Sequence, residues 1–588
     1  MPASEASLTD GRASGGAAWQ GSAVWLYALS GHVRTRKPGE RPANPPKVTP
    51  PEEKQREAKQ KVEPTSTKRS ESLSEILSND TAAMLPPGPG LPNSVDDGAL
   101  TVSTIPLCVD LDGTLVKSDT LVDSVLAMVR QHPKAVLRIP GWLAQGKAAF
   151  KRHVTDAVTL DVAALPYNQP LLEHLMQEHA AGRRIFLATA ADRSLADRIA
   201  AHLGIFEDVL ASDGAHNLAG GNKLAAFRSR FGEHFSYIGN ARPDLPILTA
   251  CMEPMVANPD RALRSGLRAA KIVPVRTFAD TVSPARAWMK ALRLHQWAKN
   301  VLIFVPLVMA HAWKLPRPLG PLVGSLIAFL SFGLCASATY IVNDLLDIEA
   351  DRRHHSKRRR PFAAGNLSAL SGVLVCVSFL ALSVLLALVL PYAVAAVGNP
   401  LPVPHGMLLW LFIYAVSTTS YSFALKRIVL VDVIVLSGLY TIRIITGSEA
   451  SGFPISQWLG GFSIFFFLSL AFVKRFAELE SLRQRDKAPS NGRGYLISDI
   501  EQLRSFGTAS AYASVVVLTL YISNVDITLY RHPVRLFLIL PILLLWVSQL
   551  WLTASRGELN EDPVVHAITD RTSLLLGAIA VGVVLIAM

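Results

Sequence analysis

The stretch NDLLDIEADRRHHSKRRRP, residues 343–361, stands where an apolar run from Pro321 to Val342 meets a basic segment. Asp344, Asp347 and Asp351 follow an i, i+3, i+7 spacing, so a helix continuing through them sets three carboxylates on one face. An acid at hydrocarbon depth costs roughly 2.5 to 3.5 kcal/mol on insertion scales, so three on one stripe imply a polar cavity or hard divalent cations. Mg2+ is the expected cation: it keeps several waters, takes one or two carboxylates and completes its octahedron with phosphate oxygens. Lys357, Arg358, Arg359 and Arg360 supply donors for the same phosphates. An acidic helix end before a positive-inside anchor would need the basic cluster but not the aligned acids.

The rest of the 588-residue chain agrees with a membrane setting: 50% of it is hydrophobic and its mean hydropathy is +0.29, high for a wholly soluble protein. The formal charge of +12 comes from Lys and Arg clustered beside apolar spans. This favours anionic headgroups and phosphorylated substrates over nucleic acid. Cys108, Cys251, Cys335 and Cys376 lie in apolar runs without metal-ligand spacing, so no disulfide is expected. Residues 1 to about 98, rich in Pro, Ser, Ala, Gly and Lys, are expected to be disordered. The apolar patch Trp19 to Leu29 has no basic segment before it and is too short to span, which argues against a cleaved signal peptide.

Nine spans are expected, at 294–312, 319–342, 369–391, 406–424, 428–446, 456–473, 506–523, 535–553 and 572–588. The charged connections, Arg352 to Arg360, Lys426 with Arg427, and Lys474 to Arg504, follow spans two, four and six. Residues 391–405 and 448–455 contain no Lys or Arg. The asymmetry places the amino terminus in the cytoplasm and the carboxyl terminus outside, in a bacterial inner membrane.

Before the spans, residues 101–275 read as a soluble α/β domain. Its opening strand IPLCVDLDGT carries Asp110 and Asp112 at the carboxyl end, where open α/β sheets place their chemistry. A second apolar strand ends on Thr189, a third runs into GNARPD (239–244), and Lys223 lies between them. These residues resemble the haloacid dehalogenase (HAD) phosphohydrolase superfamily, a Rossmannoid fold. The resemblance implies Asp110 as the nucleophile forming an aspartyl-phosphate, Asp112 as general acid and base, and Thr189 and Lys223 as phosphate binders. It also implies Asp244 as a magnesium ligand, with Asp110 and Asp112 in the same set. The chemistry is coherent, because a carboxylate attacks phosphorus only when cations neutralise the approaching anion and the leaving oxygen receives a proton. One departure is that the turn usually begining GD reads Gly239, Asn240 here. The segment from Lys117 to about Ala180, with Lys147 and Lys151, looks like a small helical cap. The alternative is a HAD fold retained for binding alone.

In the membrane half, from about residue 286 to 588, charged and polar groups recur where they are functional candidates. LRLHQWAKN supplies Arg293, Gln296, Lys299 and Asn300, YSFALKRIVLVD supplies Tyr421, Lys426 and Asp432, TIRIITG supplies Arg443, and FVKRFAE supplies Lys474, Arg475 and Glu478. Asp432 and Arg443 interrupt one apolar span and are expected to pair across it or through a ligand. The region resembles the UbiA-type prenyltransferase superfamily, a polytopic all-α fold, because NDLLDIEAD matches its first aspartate-rich motif. The usual second motif, D-x-x-x-D, is incomplete: Asp432 is followed four positions on by Leu436. LHQWAKN, YSFALK with Asp432, Arg443 and the distal RGELNEDPVVHAITDR are instead similar to the decaprenyl-phosphate phosphoribosyltransferase-like branch. There the acceptor is a polyprenyl phosphate in the membrane and the donor is 5-phosphoribosyl 1-diphosphate (PRPP). The resemblance implies Mg2+ held by Asn343, Asp344, Asp347 and Asp351 on the diphosphate, with Lys357 and Arg360 offsetting its charge. Lys299, Lys426, Arg443, Lys474 and Arg475 become candidates for the remaining phosphates, and Tyr421 and Asp432 for other contacts to the substrate. The competing readings are a conventional prenyltransferase joining an isoprenyl diphosphate to an aromatic acceptor, with an independent HAD domain, and a transporter with a soluble regulatory domain.

Overall fold

The computed structural model describes residues 105–213, 216–316, 318–398, 406–484, 493–524, 530–559 and 562–588. The expectations for residues 1–98, including the patch at Trp19, lie outside the described residues.

Residues 107–278 build a six-stranded parallel sheet: β1 (Leu107–Val109), β2 (Ile185–Asp192), β3 (Asp208–Ser212), β4 (Ser236–Gly239), β5 (Glu253–Ala257) and β6 (Arg276–Phe278). Their order across the sheet is β3-β2-β1-β4-β5-β6. The strand order reverses beside the central β1, where a crevice opens at the carboxyl ends of a doubly wound sheet. β1 is buried at every position, as expected for a strand covered on both faces. Leu107, Val109, Leu187 and Ile238 enter one apolar cluster, while Cys108, Phe186 and Tyr237 enter the other. This is the expected HAD-like architecture. After β1 the chain makes short helices at Thr120–Gln131, Ile139–Ala144 and Lys147–Ala157, within the segment read above as a cap. The Gln169–Ala180 helix instead packs Leu171 and Leu175 into the sheet's core.

The membrane half is helical. Among the described residues six helices are long and apolar enough to cross a bilayer: Leu319–Leu346, Ala369–Ala396, Val431–Ser451, Gln457–Gln484, Ile497–Ser523 and Pro533–Ser555. Two shorter apolar helices follow the same pattern, Met407–Phe423 and Arg571–Ala587. The count of nine is therefore not met by helices of spanning length. The first expected span, 294–312, is a 310 segment (Leu294–Phe304) followed by one α turn (Val305–Met309). At rises of about 2.0 and 1.5 Å per residue it still reaches about 30 Å. The protein is an integral membrane protein.

The two halves touch directly. Arg352, just past the aspartate-rich motif, places Nη1 2.8 Å from Asp123 on the first cap helix, with both side chains buried. Its Nη2 donates to Ser118 Oγ at 3.0 Å and its Nε to Ala363 O at 3.1 Å. Gly365, at φ +69°, lets the backbones close: an added Cβ would stand 2.7 Å from Lys117 Cβ.

Candidate active sites

The HAD-like site forms at the tip of β1. Lys223 Nζ donates to Asp110 Oδ1 at 2.7 Å and to the Tyr237 hydroxyl at 3.2 Å, so strand, helix and neighbouring strand converge on one carboxylate. Burial raises the Asp110 pKa, with Lys223 opposing it. Asp112 Oδ1 accepts from the Thr120 N–H at 2.8 Å. Burial and then the nearby Asp119 push Asp112 up to about 7, the range in which a carboxylic acid both gives and takes a proton at neutral pH. Gly113, at φ +75°, makes room for Asn240: an added Cβ would meet Asn240 Nδ2 at 2.0 Å. Thr189 is fully buried at a register shift in β2, and its hydroxyl accepts from the Ala191 N–H at 3.0 Å. A cavity of about 180 Å3 beside Asp112 is lined by Asp119, Thr120, Lys151 and Asp192 among others. Lys151 reaches down from the cap to Ala190 O (2.6 Å) and Asn217 Oδ1 (2.9 Å), whereas Lys147 makes no such contact among the described residues.

Asp244 is held by the protein's own donors. Its Oδ1 accepts from Tyr237 (2.8 Å), and its Oδ2 from the N–H groups of Asn240 (3.0 Å) and Ala241 (3.1 Å). It holds the turn that aims Asn240 at Gly113.

At the aspartate-rich motif, the Leu319–Leu346 helix ends. Asp347 has φ −95°, ψ 6° and caps it, and a short helix, Ile348–Arg353, starts afresh. Backbone bonds from Asp347 N–H to Asn343 O (3.0 Å) and from Asp351 N–H to Asp347 O (2.8 Å) nevertheless carry the helical path through the motif. Asp344 and Asp351 remain together: Arg360 Nη1 lies 3.1 Å from Asp344 Oδ1 and 2.7 Å from Asp351 Oδ2. Asp347 instead pairs with Arg130 of the cap, whose Nη1 also donates to Leu346 O at 2.8 Å. Arg293 adds a 2.6 Å contact to Asp344 and sits 4.7 Å over the Tyr340 ring. Asn343 Nδ2 donates to Ser422 Oγ at 3.0 Å, leaving its carbonyl oxygen available. Lys357 is exposed in a 310 turn. Lys426, half-buried in the turn before the Val431–Ser451 helix, lies within electrostatic range of Asp347.

Among the described residues no three carboxylate, imidazole or thiolate side chains are grouped to hold an ion. The Asp344–Asp351 pair nevertheless cradles a cationic group, the Arg360 guanidinium. Its hard oxygen donors suit Mg2+.

Deeper in the bundle the expected Asp432–Arg443 pair is absent. Asp432 is fully buried and accepts from Arg475 Nε at 2.6 Å and from the Tyr495 hydroxyl. Arg475 also reaches Glu478 (2.7 Å) and the Tyr421 hydroxyl (2.9 Å). Arg443 bonds Asn300 Oδ1 (2.8 Å) and the Tyr414 hydroxyl (3.1 Å). Lys299 and Lys474 share Asp562 Oδ2, at 3.1 and 2.5 Å. Sequence reasoning quoted the RGELNEDP stretch without selecting Asp562; its signal was an Asp-Pro helix start, and Asp562 does accept from the Val564 N–H at 3.1 Å. Arg130 and Asp123 were also missed, because their partners lie more than two hundred residues away.

Residues 301–565 match the UbiA prenyltransferase family. The chain belongs to that family. It is 38% identical over 488 residues to the uncharacterized protein y4nM of Sinorhizobium fredii, a match covering 82% of this chain and 91% of that protein. So long a match extends beyond the membrane half into the HAD-like domain. The nodulation protein NoeC of Azorhizobium caulinodans is 34% identical over 50% of this chain and 90% of its own length. The decaprenyl-phosphate phosphoribosyltransferase of Mycolicibacterium smegmatis is 31% identical over 40% of this UbiA-family chain and 70% of its own length.

Proposed function

We propose that the membrane half transfers a 5-phosphoribosyl group from PRPP to a polyprenyl phosphate, and that the HAD-like domain then removes the 5-phosphate from the lipid product. The observation that carries this coupling is the seating of the cap on the aspartate-rich motif, through Arg352–Asp123 at 2.8 Å and Arg130–Asp347. The long match to the S. fredii protein supports it, since the two halves occur together there as well. The similarity to the M. smegmatis transferase supports the choice of donor and acceptor. So does the incomplete second motif, in which Leu436 stands four positions after Asp432 where a conventional prenyltransferase motif has its second aspartate.

In the first reaction the bond from ribose C1 to the diphosphate breaks and a phosphate oxygen of the lipid takes its place. Asp344 and Asp351, with Asn343 and Asp347 beside them, would hold Mg2+, which when bound neutralises the diphosphate. Arg293 and Arg360 are positioned to pass from the carboxylates to phosphate oxygens. Lys299, Lys426, Arg443 and Lys474 are the candidates for the other phosphates. In the second reaction Asp110 attacks phosphorus and forms an aspartyl-phosphate, and the ribose oxygen leaves with a proton from Asp112. Water then releases inorganic phosphate. Asp110, Asp112 and the Asn240 amide oxygen would hold the magnesium of that site, with Asp244 positioning the turn. Tethering places the phosphatase beside its substrate at high effective concentration. The HAD-like domain faces the cytoplasm of a bacterial inner membrane in this scheme, where the soluble donor is found.

The test is mass analysis of lipids after purified protein meets PRPP, polyprenyl phosphate and Mg2+. Wild type should yield the dephosphorylated ribosyl lipid, Asp110→Asn the phosphorylated one, and Asp344→Asn neither. Turnover of an isoprenyl diphosphate with no use of PRPP would replace the first step. The same dephosphorylated lipid at the same rate from Asp110→Asn would remove the second.

A further inference from the structure

Where the HAD-like domain meets the membrane half there is a cavity of about 690 Å3. It shares no lining residue with the small cavity beside Asp112, and neither Asp344 nor Arg360 reaches it. Six cationic side chains line it: Lys117 from the nucleophile loop, Arg286 and Lys290 from the linker helix Pro284–Leu292, and Arg352, Arg358 and Arg359 from the segment after the aspartate-rich motif. Asp280 is the single carboxylate in the wall.

Internal contacts engage three of the six, two of them as ion pairs. Lys117 meets Asp280 at 3.1 Å, Arg352 is matched by Asp123 outside the wall, and Lys290 Nζ donates to Arg359 O at 3.0 Å. The guanidiniums of Arg286, Arg358 and Arg359 have neither an ion pair nor a hydrogen bond among the described residues. The basic run therefore divides. Arg360 turns inward to Asp344 and Asp351, while Arg358 and Arg359 face the cavity with a third arginine from the linker. Three guanidiniums around one space repel one another until an anion joins them, and each presents the planar fork that fits phosphate oxygens. The space far exceeds one phosphate and lies in the size range of small-molecule sites. Ala163, Leu165, Pro166 and Val282 give it an apolar strip. A phosphate group with an attached organic portion satisfies both parts of the wall.

We propose that this cavity binds a phosphate-bearing anion through Arg286, Arg358 and Arg359, and that the bound anion clamps the HAD-like domain onto the membrane half. The site does not depend on the reaction proposed above. Its ligand chemistry has two sources, the headgroup of an acidic lipid or a soluble phosphorylated compound.

Full-length protein in phosphatidylcholine nanodiscs, with EDTA present to keep divalent ions from the aspartate clusters, is titrated with inorganic pyrophosphate and followed by amide hydrogen exchange of residues 282–290. A parallel set of nanodiscs contains phosphatidylglycerol. A soluble ligand predicts saturable protection of this helix by pyrophosphate in phosphatidylcholine; a lipid ligand predicts protection in phosphatidylglycerol without pyrophosphate. In either case the variant Arg286→Gln/Arg358→Gln/Arg359→Gln should need at least about tenfold more ligand, and the exposed single change Arg286→Gln an intermediate amount. Wild type and the triple variant behaving alike in both nanodiscs, or protection confined to other segments, overturns the proposal.

Discussion

Asp432→Asn separates a structural carboxylate from a metal ligand. Asp432 is fully buried and Arg475 is 2% exposed, and their 2.6 Å contact leaves no room for an intervening ion. Removing one partner of such a pair costs about 3 to 5 kcal/mol, because the other charge stays buried. Asn keeps one carbonyl acceptor, and Arg475 retains Glu478 at 2.7 Å, so about 3 kcal/mol is expected for Asn and about 5 for Ala. Replacing both partners, as in Asp432→Asn/Arg475→Gln, should recover more than half of the loss, since neither charge is then left alone. Thermal or detergent-induced unfolding of the purified protein gives the stability. Transferase activity per folded molecule against Mg2+ concentration gives the role, and its half-saturation point should not move. An Asp432→Asn protein as stable as wild type that needs about tenfold more Mg2+ would refute the reasoning and return Asp432 to the metal set.

The other expected outcomes concern single contacts. Asp562→Ala leaves Lys299 and Lys474 facing each other without their shared carboxylate and should cost about 3 kcal/mol in unfolding, part of it returned by Lys474→Met in the same chain. At the domain junction Asp123→Ala strips the buried Arg352 of its counter-charge and should open the linker at 279–293 to limited proteolysis, whereas Arg130→Ala breaks an exposed pair worth less than about 1 kcal/mol and should leave the digestion pattern unchanged. His174 is buried against Phe278 and accepts from Arg276 at 3.0 Å, and burial, then Arg276, lower its pKa. The unfolded chain therefore takes up a proton more readily than the folded one. The stabilising contribution of His174 is complete above about pH 6.5 and is lost as the pH falls through its depressed folded value. A His174→Phe domain should show a flatter thermal midpoint over that range.

What local pattern specifies, the sequence revealed. Continuous apolar runs identified β1, β2 and β4 because strands covered on both faces have no polar side. β6 is three residues long with two of them exposed, so no run announces it. The helical segment between the DLDGT loop and the second strand was legible from its position. The i, i+3, i+7 spacing presumed one helix, and the helical path does run through the motif, but Asp347 faces Arg130, a partner more than two hundred residues distant. The Asp432–Arg443 expectation failed for a reason already in the numbering. Eleven residues of helix bring the two onto nearly the same side but about 16 Å apart along the axis, beyond direct contact. Each then found a partner on another segment: Arg475 on the Gln457–Gln484 helix and Asn300 in the 310 segment.

The acids of the motif are neutralised from three places: Arg293 from the linker, Arg360 from the following loop and Arg130 from the HAD-like cap. In the proposed reaction, a cation held by Asp344 and Asp351 would displace Arg360 and free its guanidinium for the departing diphosphate. The exposed Arg130–Asp347 contact is cheap to break, so a ligand at the motif can part it while the buried Arg352–Asp123 pair still holds the domains together. In the proposed scheme, one strong and one weak contact on the same helix would let the transferase site open while the HAD-like domain stays seated.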